Sequence, residues 1–170
     1  ERVALAANFD RWWFGSVRLT LTGVVADRIA ARFPKGSPLQ EMTEVSLEGT
    51  QNAITEVLRG GQIIIVNEPH AHSALKRLDM ELAEAFGKHI VVPIKTGNRT
   101  DAVLLLGRSV AQSDIDERDR QLSLTLASQI AVALENRRLF DAVQNERESL
   151  QQILNSLPTG VIVVDALTRQ

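Results

Sequence analysis

A single helical pattern occupies the last third of this chain and limits what the rest can fold into. Apolar residues recur at helical spacing over residues 114–157, with no glycine or proline among them. The pattern ends at residues 157–165, LPTGVIVVD, where a proline and a glycine precede an apolar run typical of a strand. Only five residues follow Asp165, too few to complete a sheet. We therefore expect a piece of a longer protein, in which the helix joins a folded body to the start of another domain.

Composition excludes several kinds of site and partner. The chain has 170 residues, of which 44% are hydrophobic and 24% charged, enough for one sizeable core. A net charge of -2 gives no overall attraction to nucleic acid, so no nucleic-acid partner is expected. The absence of cysteine excludes disulfides, thiolate zinc sites, a cysteine nucleophile and a bilin attached through a thioether. No apolar run approaches the ~18 residues of a membrane span, so we predict a cytoplasmic location.

Strand and helix patterns alternate before the long helix. Alternating residues on both sides of Gly23 predict an antiparallel hairpin half exposed to water, with Ile29, Ala31 and Phe33 on one face of its second strand. Further strands are predicted at 45–47, 63–66, 90–94 and 102–106. The strand at 63–66 is apolar throughout, so we expect other elements to pack on both of its faces. Pro93 belongs at an edge, a bulge or a strand end, because proline cannot donate to a ladder. The turn after it, residues 96–99, suits a hairpin.

Two helices are predicted between these strands. The first is capped by Thr50 and ends at Gly60 and Gly61, and the second covers about 73–86 and ends at Gly87. The apolar stripe of the first helix comprises Ala53, Ile54, Val57 and Leu58. The predicted fold is therefore α+β, a mainly antiparallel six-stranded sheet flanked by helices.

The amino-terminal segment, residues 1–15, has a helical pattern that ends in three aromatic residues. We interpret Trp12, Trp13 and Phe14 as packing at the base of the sheet or against the terminal helix, because aromatic side chains bury much apolar area. An aromatic platform for a ligand is the alternative.

The long helix fits a heptad from about residue 132. Placing Asn136 at an a position makes six of the eight core positions aliphatic. We call this set the seam; its a positions are Asn136, Val143, Leu150 and Leu157, and its d positions are Val132, Leu139, Glu146 and Ile153. The seam predicts a parallel homodimer, with Asn136 fixing the register and Glu146 weakening it. A solvated helix that only looks periodic is the alternative.

Two known families resemble stretches of this sequence. Residues 92–94 (VPI), 102–106 (AVLLL), 113–119 (SDIDERD) and 126–136 (LASQIAVALEN) resemble the carboxyl half of a GAF domain, in which a hairpin is followed by a long helix. Residues 153–165, ILNSLPTGVIVVD, resemble the entry to a PAS domain. GAF domains often have glycine where this chain has Asp101 and Ala102, which puts details of the hairpin in question.

The resemblance implies a domain order and a role. It implies a GAF-like sensory domain at 16–113, a signalling helix at 114–157 and a truncated PAS-like start at 158–170. The role implied is that of a sensory or dimerising module of a signalling protein, most often a bacterial sensor histidine kinase. A cyclase or a response protein with the same amino-terminal sensory domain is the alternative. A downstream PAS domain and output domains would then be partners within the same chain.

The predicted ligand pocket lies between the sheet and residues 67–88. Its wall comprises Ile65, Leu75, Leu78 and Leu82, and its mouth comprises Asn67, His70 and His72. The ligand is unknown: a noncovalent small molecule is possible, haem at His89 is disfavoured, and the cyclic-nucleotide signature of GAF domains is absent. His70 and His72 could share a metal, but no third ligand has suitable spacing, so no metal site is predicted. No catalytic set is evident, so this segment is predicted not to be an enzyme. A ligand-free relay domain is the alternative.

Overall fold

The computed structural model describes residues 8–20, 23–33, 37, 43–46, 53–69 and 83–156. Its strands are β1 (Arg11–Thr20), β2 (Gly23–Arg32), β3 (Glu44–Ser46), β4 (Ile64–Val66), β5 (Lys88–Thr96) and β6 (Arg99–Arg108). Its helices are α1 (Ala53–Gly60) and α2 (Glu117–Ser156), and residues 83–86 form a further helical turn. The strands build one sheet in the order β3-β2-β1-β6-β5-β4, and every neighbouring pair is antiparallel. The predicted α+β class is confirmed.

The chain divides into two compact units. Glu1–Val132 contains the sheet, α1 and the first part of α2. Ala133–Gln170 contains the remainder of α2, and its residues beyond Ser156 lie outside the described part of the chain. The predicted PAS-like start at 158–170 therefore stays a prediction. No helix in the described ranges combines the length and the apolarity needed to cross a membrane.

The helical prediction for the amino-terminal segment is wrong over its last five residues. Arg11 to Gly15 belong to β1, which pairs with β2 on one side and with β6 on the other. Aromatic residues suit a pleated surface with neighbours on both sides, and this pairing outweighs the local helical pattern. Residues 1–7 lie outside the described ranges.

Trp12 and Phe14 are only half-buried, but Trp13 packs into the core as predicted for the aromatic run. Its side chain is 5% exposed and belongs to a cluster with Val91, Val103 and Leu105 on one face of the sheet. The indole lies over Gly15, where an added Cβ would be 2.6 Å from Trp13 Cζ2 and 2.8 Å from the Asp27 carbonyl oxygen. A side chain at position 15 would displace the indole, so glycine at this position lets Trp13 pack flat against its own strand.

The predicted hairpin of β1 and β2 is present, with one irregularity. Phe14 pairs with Ala30 and Gly15 pairs with Arg28, which leaves Ile29 as the extra residue of a β-bulge. The alternating pattern placed Ile29 on the same face as Ala31 and Phe33. The bulge interrupts that alternation, and the Ile29 side chain is 53% exposed.

Strand β4 departs from the predicted cover on both faces. All three of its residues are only half-buried, because β4 is an edge strand of the sheet. It pairs with β5 only from His89 to Val91. Pro93 therefore lies in a part of β5 that β4 does not reach, which resolves the conflict between proline and a strand interior.

The hairpin of β5 and β6 turns at Gly97 and Asn98, as predicted. Gly97 has a φ of 62°, a conformation that glycine adopts without steric cost. Asp101 is the extra residue of a bulge next to the turn, and its carboxylate accepts a hydrogen bond from the Thr96 hydroxyl. Asp101, which stands where GAF domains often have glycine, thus stabilises the turn of this hairpin through its bond to Thr96.

Candidate functional site

Of the seven residues predicted for the ligand pocket, the structure describes Ile65 and Asn67. Ile65 is half-buried in β4 and pairs with Ile90 of β5. The other five lie outside the described residues and stay predictions: His70, His72, Leu75, Leu78 and Leu82. The described part of the chain therefore contains one residue of the predicted wall, Ile65, and one of the predicted mouth, Asn67.

Asn67 connects the end of β4 to the segment that precedes α2. Its Oδ1 accepts a hydrogen bond from the Ile115 backbone N–H at 2.8 Å, and its Nδ2 donates to the Ile115 carbonyl oxygen at 3.2 Å. The side-chain amide of Asn67 thus makes two hydrogen bonds with the backbone of one residue, Ile115, in the way that paired strands do. Asn67 thus fixes the approach to α2, and its predicted role at the mouth of a pocket stays untested.

A buried ion pair fixes the start of α2 to the end of β6. The guanidinium of Arg108 pairs with the Asp119 carboxylate, and a second nitrogen donates to Ser113 Oγ at 3.2 Å. The Arg108 residue is 2% exposed, and its guanidinium lies 4.8 Å from the centre of the Phe9 ring. Removing one partner of such a pair leaves an uncompensated charge in a dry environment.

The same carboxylate also caps the helix. The Asp119 N–H donates to Asp116 Oδ1 at 2.9 Å, and the Asp116 N–H donates to Asp119 Oδ2 at 3.2 Å. This is a reciprocal capping box, which satisfies two amide groups that the first helical turn leaves unpaired. Lys88 adds a third connection, with its Nζ 2.8 Å from Asp114 Oδ1 and 2.6 Å from the Gln112 carbonyl oxygen. We call Asn67, Lys88, Arg108 and Asp119 the helix anchor.

Sequence reasoning missed the helix anchor apart from Asn67, which it assigned to a pocket. One signal was available: Asp116 and Asp119 have the spacing of a capping box immediately before an apolar helical pattern. No local pattern could pair Arg108 with Asp119, because an irregular segment separates the strand from the helix.

His89 is buried beside the same strand end. Its residue is 4% exposed, and its Nδ1 donates to the Gly87 carbonyl oxygen at 2.8 Å. Burial lowers the pKa of His89 below its usual 6.5, and the bond to Gly87 opposes that shift in part.

The lowered pKa of His89 predicts a loss of stability in mild acid. The unfolded chain binds a proton at His89 more readily than the folded chain, so stability falls as pH drops below about 6.5 towards the lower folded pKa. We expect His89→Gln to remove this component, worth at most about 1.4 kcal/mol per pH unit. Urea unfolding of the parent and the variant at pH 7.5 and 5.5 checks it. An equal loss of stability in both proteins would contradict the assignment.

The predicted seam of α2 lies on the surface of the single chain. Its described aliphatic residues are all more than half exposed: Val132, Leu139, Val143, Leu150 and Ile153. Asn136 and Glu146 are exposed as well, and Leu157 lies outside the described residues. The helix up to Ala127 differs, because Asp119, Ser123 and Ala127 are buried at intervals of four residues. An isolated helix with this exposed stripe would leave much apolar surface in water.

A family model and solved structures match the chain. The model described as the GAF domain matches residues 10–135, which includes β1 and extends into α2 beyond the predicted limits of 16–113. The comparison with curated proteins gave no match.

Three solved structures show the same fold. The GAF domain of a two-component sensor histidine kinase from Bacillus halodurans is 24% identical, with a TM-score of 0.61 and coverage of 78% of this chain and 86% of that one. A methyl-accepting chemotaxis protein, residues 122 to 287, is 13% identical, with a TM-score of 0.67 and coverage of 82% and 86%. A type II free methionine-R-sulfoxide reductase from Thermoplasma acidophilum is 12% identical, with a TM-score of 0.54 and coverage of 73% and 77%.

Proposed function

Because the chain belongs to the GAF domain family, we propose that it is the sensory part of a sensor histidine kinase and that α2 passes its signal to a following PAS domain. GAF domains are generally sensory, and similar folds occur in a sensor histidine kinase and a chemotaxis protein. The similar fold of a reductase carries no argument for catalysis here, since identity is only 12%. In this proposal the segment acts by binding and transmission.

The observation that carries the proposal is the exposed seam of α2. Five aliphatic residues at a and d spacing are exposed on a helix of 40 residues. We take a second copy of the chain, in parallel, as the occupant of this surface, because each a residue would then meet its twin. Burying the seam would remove apolar surface from water along the whole second half of the helix.

The helix anchor supports the transmission step. Asn67 and Lys88 lie at opposite ends of the chain segment that contains the predicted pocket, and Arg108 lies at the end of β6. All three hold α2 or the residues just before it. A ligand that binds one arrangement of this segment better than another would shift the population of helix positions. Its effect could not exceed the difference in its binding free energy for the two arrangements.

Cross-linking tests the proposed parallel dimer. The chain has no cysteine, so Val143→Cys introduces a single thiol without background. In a parallel coiled coil two a positions face each other at a distance that a disulfide can bridge. We expect mild oxidation to convert most of this variant to a covalent dimer on non-reducing gels.

The matched control is Glu148→Cys, at an f position on the outer side of the same helix. We expect it to remain mostly monomeric under identical oxidation. Equal cross-linking at positions 143 and 148 would contradict the seam, as would the absence of cross-links at position 143.

A further inference from the structure

A groove with a cationic rim lies between the end of α1 and the β5–β6 hairpin. We call it the hairpin groove; its volume is about 860 Å³, within the range of small-molecule sites. Its apolar floor comprises Val17, Val24 and Leu58, and its rim carries Arg59, Lys95 and Arg99. It is lined by different residues from the pocket predicted at 67–88.

Two of the four cations of this groove have acidic partners and two have none among the described residues. Arg18, which also lines it, pairs with Asp27, and Arg99 lies 3.2 Å from an Asp101 oxygen. Neither Arg59 nor Lys95 pairs with an acid among the described residues. Within the described part of the chain, the groove therefore has two positive charges without an acidic partner beside half-buried aliphatic side chains.

We infer that the hairpin groove binds a small anionic molecule with an apolar part, such as an aromatic carboxylate, sulfonate or phosphate. The anion would lie between Arg59 and Lys95, and the apolar part would cover Val17, Val24 and Leu58. This inference rests on the proposed sensory function and specifies its ligand class.

The position of Lys95 connects this site to α2. Its Nζ lies against Gly61, where an added Cβ would be 2.5 Å away. Gly61 and Lys95 also line a second groove, of about 430 Å³, which includes Arg120, Leu124 and Ala127 of α2. An anion that draws Lys95 into the hairpin groove would change the charge that faces α2. Ligand binding and helix position would then be linked through one side chain.

Two dyes that differ in charge test the site. The probe 8-anilinonaphthalene-1-sulfonate carries an aromatic system and a sulfonate, and N-phenyl-1-naphthylamine has the aromatic system alone. We expect Arg59→Gln combined with Lys95→Gln to weaken binding of the sulfonate about tenfold, since each exposed cation contributes up to about fivefold. Binding of the neutral dye should not change. Fluorescence titration measures both affinities, and circular dichroism checks the fold.

The control variant, Arg118→Gln with Arg138→Gln, removes two exposed cations of α2 outside the groove. We expect it to bind both dyes as the parent does, and we expect salt to weaken only the binding of the sulfonate. Equal affinity of all three proteins for the sulfonate would overturn the site, as would an equal loss for both dyes. The variant with Arg59→Gln and Lys95→Gln leaves the seam unchanged. Cross-linking through Val143→Cys therefore tests the proposed dimer separately from anion binding in the groove.

Discussion

Arg108→Met should lower the free energy of unfolding by about 3–5 kcal/mol. The methionine would fill much of the arginine's volume but leave the Asp119 carboxylate without its cation in a nearly dry setting. The stacked contact with Phe9 would lose its charge as well. Urea unfolding followed by circular dichroism measures the change.

The matched control is Arg99→Met, at the other end of β6. Arg99 also pairs with an aspartate, but its side chain is 77% exposed, so water screens the pair. We expect a loss below about 1 kcal/mol there. Adding Asp119→Asn to Arg108→Met should recover part of the stability, because asparagine removes the unpaired charge and can still cap the helix. Equal losses for the two arginine variants would show that the buried pair does not hold α2.

Local patterns predicted the fold where neighbouring residues decide it. The first hairpin follows from alternation on both sides of Gly23, and the second from two apolar runs that flank the turn at 96–99, where Gly97 adopts a positive φ. The end of α1 follows from Gly61, whose N–H donates to the Val57 carbonyl oxygen at 2.7 Å. The long helix, predicted at 114–157, is observed from Glu117 to Ser156.

Contacts between distant residues account for what the sequence did not reveal. Trp12 to Gly15 pair with β2 on one side and with β6 on the other, and these long-range pairings outweigh their local helical pattern. Ile29 leaves its predicted face because β2 has one more residue than β1 at that point. Asn67 and Ile115 are 48 positions apart, so no local spacing could indicate their two hydrogen bonds.

Val143→Asp should dissociate the proposed dimer. In a parallel pair the two aspartates would face each other at an a position, where both would be desolvated without a cation. A penalty of about 3–5 kcal/mol corresponds to a dissociation constant higher by roughly two to four orders of magnitude. Val143→Asp should cost the monomer little stability, because Val143 is 64% exposed in the single chain. The matched control, Gln144→Asp, adds the same charge at the neighbouring exposed b position.

Sedimentation velocity of these three proteins tests whether the seam of α2 joins two copies of the chain. With all three proteins at the same concentration, we expect the parent and Gln144→Asp to sediment as dimers and Val143→Asp as a monomer. A monomeric parent, or a Val143→Asp variant that stays as tightly dimeric as the parent, would contradict it.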